Sequence, residues 1–391
     1  MMCVAACLNG WTTYILIAAG EKMGRLNYEE LMAELYGTAG THAYCVFVGI
    51  LTFGAMSVCL IVIGDTVPKI LLAANVTAGP FTDREFVIAL SGIIFVLPVS
   101  MLKDLSNLAY TSLTSIMAVG LLVLIVVFAG PGVASDNPEI DRSEVLTFMR
   151  PTIFAGFGAM SFAFVCQQSS FLVYRSMRDR ELRRWAGVTR WSLSIAWLMS
   201  ILLSVSGYLI FGTETQGNIL NNFPTENIPA SVARGLLAVT MVFSYPIDMY
   251  VARHVFDVSV FQTCLGMGPI TSTRHYAITL ALWAFTMTVA CSTDNLGFVL
   301  DIFGALSSTV IGYIMPAVVH ISCNREDLRS FNAVNRKGAT EYDSLLGGQL
   351  WALHHLFLPV LVVVFGVIAL VAGIVTTIWF QEETFTTLGS G

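Results

Sequence analysis

Ionisable side chains are rare within the apolar stretches of this chain, and three aspartates are the exceptions that could do chemistry there. Asp65 follows one apolar stretch, Asp248 lies near the end of a second, and Asp301 lies within a third. A charged side chain in hydrocarbon is costly, so such residues are by default candidates for a functional site. We expect the three aspartates to act in gating, with polar contact between helices as the alternative.

Five polar or weakly polar residues, 166–170, interrupt the apolar stretch 151–175, and they read Cys-Gln-Gln-Ser-Ser. Two glutamines do not suit a continuous helix that faces lipid. A broken helix does suit them, because its freed backbone N–H and C=O groups can line a watery cavity. The alternative is that 166–170 only approaches the inner membrane interface, where Gln and Ser are hydrated.

A second polar pattern lies in the stretch 231–252, where Thr240, Ser244 and Asp248 are spaced four residues apart. This spacing places them on one face of a helix. Pro246 removes one backbone hydrogen bond and frees the carbonyl of Val242. Hydroxyl and carbonyl oxygens suit a small hard cation such as Na⁺. The alternative is ordinary hydrogen bonding between helices by Ser and Thr.

The elements that must position these residues are transmembrane helices. Of the 391 residues, 55% are hydrophobic and 12% are charged, and the mean hydropathy is +0.74. A soluble domain carries about 25% charged residues. A bilayer needs about 20 apolar residues per helix, whereas barrel strands would have about 10 residues of alternating polarity. Ten stretches qualify as helices: 1–19, 43–63, 86–102, 109–130, 151–175, 188–211, 231–252, 275–292, 296–321 and 355–380.

Lys and Arg are divided unevenly between alternate loops, with 15 on one side and 5 on the other. By the positive-inside rule the richer side is cytoplasmic, and it includes the polar loop 324–350 before the last helix. Both termini of the chain then lie outside or in a lumen. The sequon Asn75-Val76-Thr77 falls on the opposite side, which makes Asn75 a candidate glycosylation site.

Other classes of protein lack their sequence signatures here. The net charge of −6 argues against binding to nucleic acid, which needs a basic surface. The chain has no HExxH, GxSxG or Walker A motif and no Arg-rich helix, so an enzyme, an ATP-driven pump and a voltage sensor are not expected. Its eight cysteines show no zinc spacing, and we expect neither a metal site nor a cofactor. By elimination the sequence favours a secondary transporter that binds its solute near the membrane midplane.

Residues 160–177 read MSFAFVCQQSSFLVYRSM and resemble a signature of the amino acid/auxin permease family. The resemblance is closest to the sodium-coupled neutral amino acid transporter branch. Other stretches resemble further helices of that branch, in the same order along the chain. They are 53–68 for the third helix, 206–220 for the seventh and the loop after it, 244–246 for the eighth and 296–305 for the tenth. The resemblance spans about residues 10–320.

This resemblance implies an all-α, polytopic membrane protein with a leucine-transporter-like inverted-repeat helix bundle, formed as a single transporter domain over 1–391. It implies that substrate binds at unwound segments of the first and sixth helices and that sodium binds at the first and eighth. On this chain the implied substrate residues are Ser161, Phe164, Cys166 and Gln167, and the implied sodium ligands are Thr240 and Ser244.

Two features depart from the family pattern. The stretch 1–19 resembles the family's second helix, because 28–31 matches the loop that follows it, and the first helix is therefore expected to be missing. The external N-terminus inferred from the loop charges agrees with that expectation. The family's His is Gln167 here, and a neutral amide cannot titrate, so a pH response that depends on this His should be weaker.

The sequence therefore predicts a secondary active transporter that moves neutral amino acids by alternating access, as an Na⁺-coupled symporter in the plasma membrane or a vacuolar or lysosomal membrane. Its expected partners are an amino acid, Na⁺ or H⁺, and the lipid bilayer. Two alternatives remain open. One is an H⁺-coupled vacuolar or lysosomal amino acid exporter, and the other is an amino acid sensor or scaffold that does not transport.

Overall fold

The computed structural model of the chain describes residues 1–76, 79–102, 108–136, 153–325 and 353–388. Every regular element among these residues is a helix, which confirms the prediction of an all-α membrane protein. The α-helices are α1 Met2–Met23, α2 Tyr28–Ala73, α3 Arg84–Ser91, α4 Leu97–Ser100, α5 Leu108–Asp136, α6 Ile153–Phe164, α7 Gln167–Ser176, α8 Leu182–Phe211, α9 Ile228–Phe256, α10 Ser272–Ser292, α11 Leu296–Phe303, α12 Met315–Cys323 and α13 Leu358–Leu388.

Eight helical segments of the described residues are long and apolar enough to cross a membrane. They coincide with eight of the ten predicted stretches. The other two stretches, 86–102 and 151–175, are also helical but interrupted. A π-helical turn, Gly92–Val96, separates α3 from α4, and a break separates α6 from α7.

The helices carry large apolar side chains on their exposed faces. Phe128 on α5, Trp191 on α8, Ile228 on α9 and Trp379 on α13 are all mostly exposed. In water such a surface would be unfavourable, whereas in a bilayer it is the surface that lipid requires. Helices suit this environment because their backbone hydrogen bonds are made within the segment.

The chain forms two compact units, and the first comprises Met1–Val48, Pro151–Ala196 and Asp301–Gly391. Within it, α1 packs against α12 and α6, and α6 packs against the π-helical turn Gly304–Ser308 and against α13. α2 bends in this unit at Gly37, whose φ of 64° lies in the left-handed region that favours glycine. The first unit therefore holds both halves of the broken helix, α6 and α7.

A close contact between backbones fixes α6 within this unit. A Cβ atom on Gly158 would lie 2.7 Å from the carbonyl oxygen of Asp301 and 3.0 Å from the backbone nitrogen of Ala305. A Cβ on Gly304 would in turn overlap the backbone of Gly158. Small residues allow this approach, as they do at other helix crossings in membranes.

The second unit comprises Gly49–Arg150 and Trp197–Leu300, and in it α5 packs against α9. Its apolar core includes Val126, Phe211 and Leu220. Arg234 on α9 is fully buried and donates hydrogen bonds to the carbonyl oxygens of Leu220 at 2.9 Å and Phe223 at 2.7 Å. This arginine therefore holds the loop between α8 and α9 in place.

Candidate substrate site

The break in the predicted sixth helix consists of two residues, Val165 and Cys166. Cys166 has φ −139° and ψ 5°, outside the helical range, and α7 starts at Gln167. The structure thus favours the broken-helix interpretation of 151–175. The break is shorter than the predicted polar interruption, because Gln167 to Ser170 are already helical.

The backbone groups around the break find local partners. The amide of Val165 donates to Ser161 O at 3.0 Å, and the amide of Cys166 donates to Gln167 Oε1 at 3.0 Å. The carbonyl of Cys166 accepts from the hydroxyl of Ser170 at 2.8 Å. The side chain of Cys166, the N-cap residue of α7, accepts no hydrogen bond from the first turn of that helix. The N-terminus of α7 therefore retains the partial positive charge of an uncapped helix end.

Gln167 connects the break to two other segments of the first unit. Its Nε2 donates to Asn9 Oδ1 at 3.1 Å and Thr12 Oγ1 at 3.0 Å on α1, and it lies 3.2 Å from the carbonyl oxygen of Gly312. A primary amide has only two N–H groups, so the three acceptors share them. Because Gln167 is fully buried, its amide is committed to this chain.

Further hydrogen bonds extend from Asn9 back to α6. Asn9 Nδ2 donates to Tyr313 Oη at 2.7 Å, Tyr313 Oη donates to Ser161 Oγ at 3.3 Å, and Ser161 Oγ donates to Phe157 O at 2.8 Å. We call Asn9, Thr12, Ser161, Gln167 and Tyr313 the Gln167 network. None of its members is more than 1% exposed, so the network is a buried and uncharged polar structure.

The other two predicted substrate residues lie at the break itself. Phe164 is the last residue of α6 and is buried. Cys166 is half-buried, with its Sγ 3.6 Å from Thr13 Oγ1 on α1. Gln168 Oε1, in the first turn of α7, and Ser308 Oγ, in the π-helical turn that packs against α6, are both buried. Neither has a hydrogen-bond partner in the part of the chain that the structure describes. Such atoms are costly unless a bound group satisfies them.

The predicted sodium ligands lie one turn apart on α9, in the second unit. Thr240 is buried and its hydroxyl donates to Leu236 O at 2.9 Å, within its own helix. Ser244 is half-buried, two residues before Pro246. α9 continues through Pro246, so this proline does not break the helix.

Asp65 is paired with positive and polar groups of the second unit. It lies within α2, and its carboxylate accepts from Arg84 Nε at 3.2 Å and from Asn221 Nδ2 at 3.4 Å. Lys69 Nζ donates to Asn221 Oδ1 at 2.7 Å. Arg84 also donates to the carbonyl oxygens of Ala290 and Thr293. We call Asp65, Lys69, Arg84 and Asn221 the Asp65 cluster, and it connects α2, α3 and the end of α10.

The remaining predicted residues are placed apart from these groups. Asp248 is half-buried on α9, and Asp301 on α11 has the backbone amide of Ala159 within hydrogen-bonding reach. Asn75 is exposed just after α2, but Thr77 of its sequon lies outside the described residues. Most of the predicted cytoplasmic loop, 326–350, lies outside them as well.

Sequence reasoning missed Asn9, Thr12 and Tyr313. Asn9 lies in an apolar stretch next to no charged residue, and Tyr313 lies among Ile, Gly and Met. The argument that singled out the aspartates, that a polar group in hydrocarbon needs a partner, applies equally to these three residues. Asn9 and Tyr313 are 304 positions apart, and Thr12 and Gln167 are 155 apart, so these pairs could be found only from the fold.

Comparisons with known proteins support a transporter. A family model described as "Transmembrane amino acid transporter protein" matches residues 1–342. A Danio rerio protein named "Putative sodium-coupled neutral amino acid transporter 11" is 30% identical over 331 residues, which cover 83% of this chain and 72% of the relative. The Homo sapiens protein of the same name is 28% identical over 326 residues, covering 81% of this chain and 78% of the relative. "Vacuolar amino acid transporter 2" of Saccharomyces cerevisiae is 27% identical over 320 residues, covering 80% and 67%.

Proposed function

The chain belongs to the transmembrane amino acid transporter family, and from that premise we propose that it carries neutral amino acids by alternating access with Na⁺ as the coupling ion. Membership makes the chain an integral membrane transporter of amino acids rather than an enzyme. The identity of the solute, the coupling ion and the transport cycle are the proposal.

The observation that carries the proposal is the break at Val165 and Cys166. At a break, one half-helix ends with free carbonyl groups and the next begins with free amides. The N-terminus of α7 suits the carboxylate of an amino acid, and the C-terminus of α6 suits its ammonium group. The break therefore offers complementary partial charges to the two ends of a zwitterion.

The neighbourhood of the break also favours a neutral side chain on the solute. Residues 151–174 contain no Asp, Glu, Lys or Arg. A charged solute side chain would need a partner of opposite charge in a site of low dielectric constant. The apolar Phe164 and the polarisable thiol of Cys166 suit an uncharged side chain instead.

We assign different roles to the four predicted substrate residues. Phe164 and Cys166 contact the solute, because they lie at the break and their side chains make no hydrogen bond to the Gln167 network. Ser161 and Gln167 hold the break open, because both are buried and hydrogen-bonded to this chain. A network that rigidifies the break replaces the hydrogen bonds that the interrupted helix has lost.

Sodium coupling is supported by the α9 residues and by the names of two relatives, which are described as sodium-coupled. Ser244 and Thr240 supply hydroxyl oxygens one turn apart, and Pro246 frees the carbonyl of Val242. A second candidate is proton-coupled export from a vacuole or lysosome, and the name of the yeast relative favours it.

One experiment separates these functions. The full chain is reconstituted in proteoliposomes, and uptake of radiolabelled alanine, glutamine, arginine and glutamate is measured with an inward Na⁺ gradient, with choline in place of Na⁺, and with a pH gradient alone. We expect uptake of alanine or glutamine that needs Na⁺, and none of arginine or glutamate. Undiminished uptake in choline would exclude Na⁺ coupling, and uptake driven by the pH gradient would establish the exporter. Saturable amino acid binding without flux would exclude transport and favour a sensor.

A further inference from the structure

A cavity of about 280 Å³ lies in the second unit, where the π-helical turn that extends α9 approaches the start of α10. The residues of its lining that bear on its chemistry are Arg253, Asp257, Gln262, Thr271 and Ser272. This volume is larger than a single water needs and is enough for a phosphate-sized group with its hydration. The cavity belongs to neither the Gln167 network nor the Asp65 cluster.

Arg253 gives the cavity a buried positive charge. The residue is only 4% exposed, yet it lines the cavity. Its Nη1 donates to Ser100 O at 3.2 Å and to Thr279 Oγ1 at 2.9 Å. Within the described part of the chain, both of its hydrogen bonds leave from this one nitrogen. A guanidinium has five N–H donors. Its Cζ also lies 5.8 Å from the ring centroid of Tyr250, another residue of the lining. A ring contact uses the face of the guanidinium, so Nε and Nη2 can still donate to an acceptor in the cavity.

The acidic residue of the lining is already neutralised. Asp257 Oδ1 lies 2.6 Å from Arg274 Nε, and Asp257 Oδ2 accepts from Gln262 Nε2 at 2.8 Å and from Arg274 Nη2 at 3.3 Å. This ion pair is almost completely buried. The pairing of Asp257 with Arg274 leaves the charge of Arg253 uncompensated within the lining.

The N-terminus of α10 adds to the positive potential. Thr271 is the N-cap residue and accepts from the amide of Arg274 at 3.4 Å, and both Thr271 and Ser272 line the cavity. α10 is 21 residues long, so its dipole is well developed. Backbone amides and the dipole at such a helix start favour anions.

The surroundings of the cavity are those of a membrane interface. Ile270 of the lining is exposed although it is apolar, and so are Phe256, Leu265 and Met267 in the same part of the sequence. The loop charges assign this end of α9 and α10 to the cytoplasmic side. Basic pockets between helices on that side are typical sites for anionic headgroups, since the cytoplasmic leaflet carries the anionic lipids.

We propose that this cavity binds a phosphate-bearing anion, held by the free edge of Arg253 and by the first turn of α10. Two sources of this chemistry exist, the headgroup of an anionic phospholipid and a soluble phosphate ester. None of the lining residues belongs to α6 or α7.

The test uses the full chain in nanodiscs of phosphatidylcholine, which has no net charge. Dioctanoyl phosphatidic acid, glycerol 3-phosphate and inorganic phosphate are the probes, and their dissociation constants are measured by microscale thermophoresis. Thr271→Asp keeps an N-cap acceptor but adds a negative charge to the lining, and Thr271→Asn is its uncharged match. Arg253→Gln removes the buried charge, and Arg183→Gln removes an exposed cytoplasmic charge far along the sequence.

We expect both charge variants to weaken binding about tenfold or more. Arg253→Gln loses a charge-assisted contact with the anion, and Thr271→Asp places a negative charge that repels it. Thr271→Asn and Arg183→Gln should bind as the wild type does. Binding of phosphatidic acid alone identifies a lipid headgroup, whereas binding of glycerol 3-phosphate or phosphate identifies a soluble ester. The proposal is overturned if the wild type binds no probe, if Thr271→Asp binds normally, or if Arg183→Gln weakens binding as much as Arg253→Gln.

Discussion

The two units of this chain solve the problem of polar groups in a membrane in different ways. In the first unit, the Gln167 network uses amides and hydroxyls, carries no charge and is at most 1% exposed. In the second unit, the Asp65 cluster uses an ion pair between Asp65 and Arg84, whose side chains are 8% and 24% exposed. The cluster lies close to the loop between α2 and α3, so water can solvate it in part.

Electrostatics explains why the Gln167 network is uncharged and fully buried whereas the Asp65 cluster is charged and partly exposed. Burying an ion costs several kcal/mol even when it is paired, whereas an uncharged group needs only its hydrogen bonds. A deep structural role therefore favours Gln, Asn, Thr, Ser and Tyr, and charged residues are favoured near a helix end. If the broken helix moves during transport, its hydrogen-bond partners are exposed to different surroundings. Uncharged partners then cost less free energy in each conformation than charged ones would.

Of the substitutions considered, Gln167→Leu should lower amino acid uptake and stability the most. It leaves Asn9 Oδ1, Gly312 O and the amide of Cys166 without their partner. Each unpaired buried group costs about 1–3 kcal/mol. We expect a combined loss of about 3 kcal/mol in the free energy of unfolding. Amino acid uptake should fall more than for any other change considered, because the break loses the partners that hold it. Uptake by proteoliposomes and the unfolding temperature of the purified protein both measure this effect.

Gln167→His is the matched control for that change. The imidazole keeps an N–H donor, so uptake should fall only slightly. An imidazole can titrate and a neutral amide cannot, so uptake should become more sensitive to pH than it is in the wild type. Normal uptake and stability in Gln167→Leu would contradict the role given to the network.

Gly158→Ala tests whether the first unit also depends on close backbone contact. The new Cβ would lie 2.7 Å from Asp301 O, so α6 or α11 must move. Overpacking of this kind costs about 1–3 kcal/mol, and uptake should fall about tenfold. Gly156→Ala is the control, because a Cβ there meets nothing within 4 Å. Equal effects of the two substitutions on uptake would show that helix propensity, not contact, is responsible.

A double-mutant cycle on Asp65 and Arg84 examines the charged side of the comparison. Asp65→Asn and Arg84→Gln each leave a partly buried charge unpaired, whereas the double variant leaves none. The double variant should lose about 1 kcal/mol less free energy of unfolding than the two single variants lose in sum. Thermal unfolding at low and high salt measures this coupling, and high salt should reduce it. A coupling of zero would mean that the carbonyl contacts of Arg84 matter more than its ion pair.

Much of the architecture could be predicted from the sequence, because apolar length and loop charge are local properties. Ten stretches were predicted, eight appear as long helices, and the irregular backbone of 151–175 was indicated by its two glutamines. The position of the break was predicted less well. Polar side chains indicate roughly where a helix is interrupted. Gln167 itself is helical, and its side chain accepts a hydrogen bond from the amide of Cys166 in the break.

The Gln167 network could not have been predicted, for a physical reason. Its hydrogen bonds join Asn9 to Tyr313 and Gln167 to Gly312. These residues are brought together only because α1 and α7 pack against the π-helical segment Val310–Ile314. Local patterns cannot specify such pairs. The pairing of Asp65 with Arg84 is closer in sequence, but a pattern of single residues does not reveal it either.

Ser244→Ala should have the smallest effect, and it concerns a residue that belongs to neither polar set. If Ser244 supplies one of several oxygen ligands to Na⁺, its loss removes about 0.5–1 kcal/mol of binding. The Na⁺ concentration for half-maximal uptake should then rise about two- to fivefold, with the maximal rate and the unfolding temperature unchanged. Ser206→Ala, which deletes a hydroxyl that donates within its own helix α8, is the control and should leave the Na⁺ dependence unchanged. An unchanged Na⁺ requirement in Ser244→Ala would remove this residue from the ion site, and the comparison of the two polar sets would stand without it.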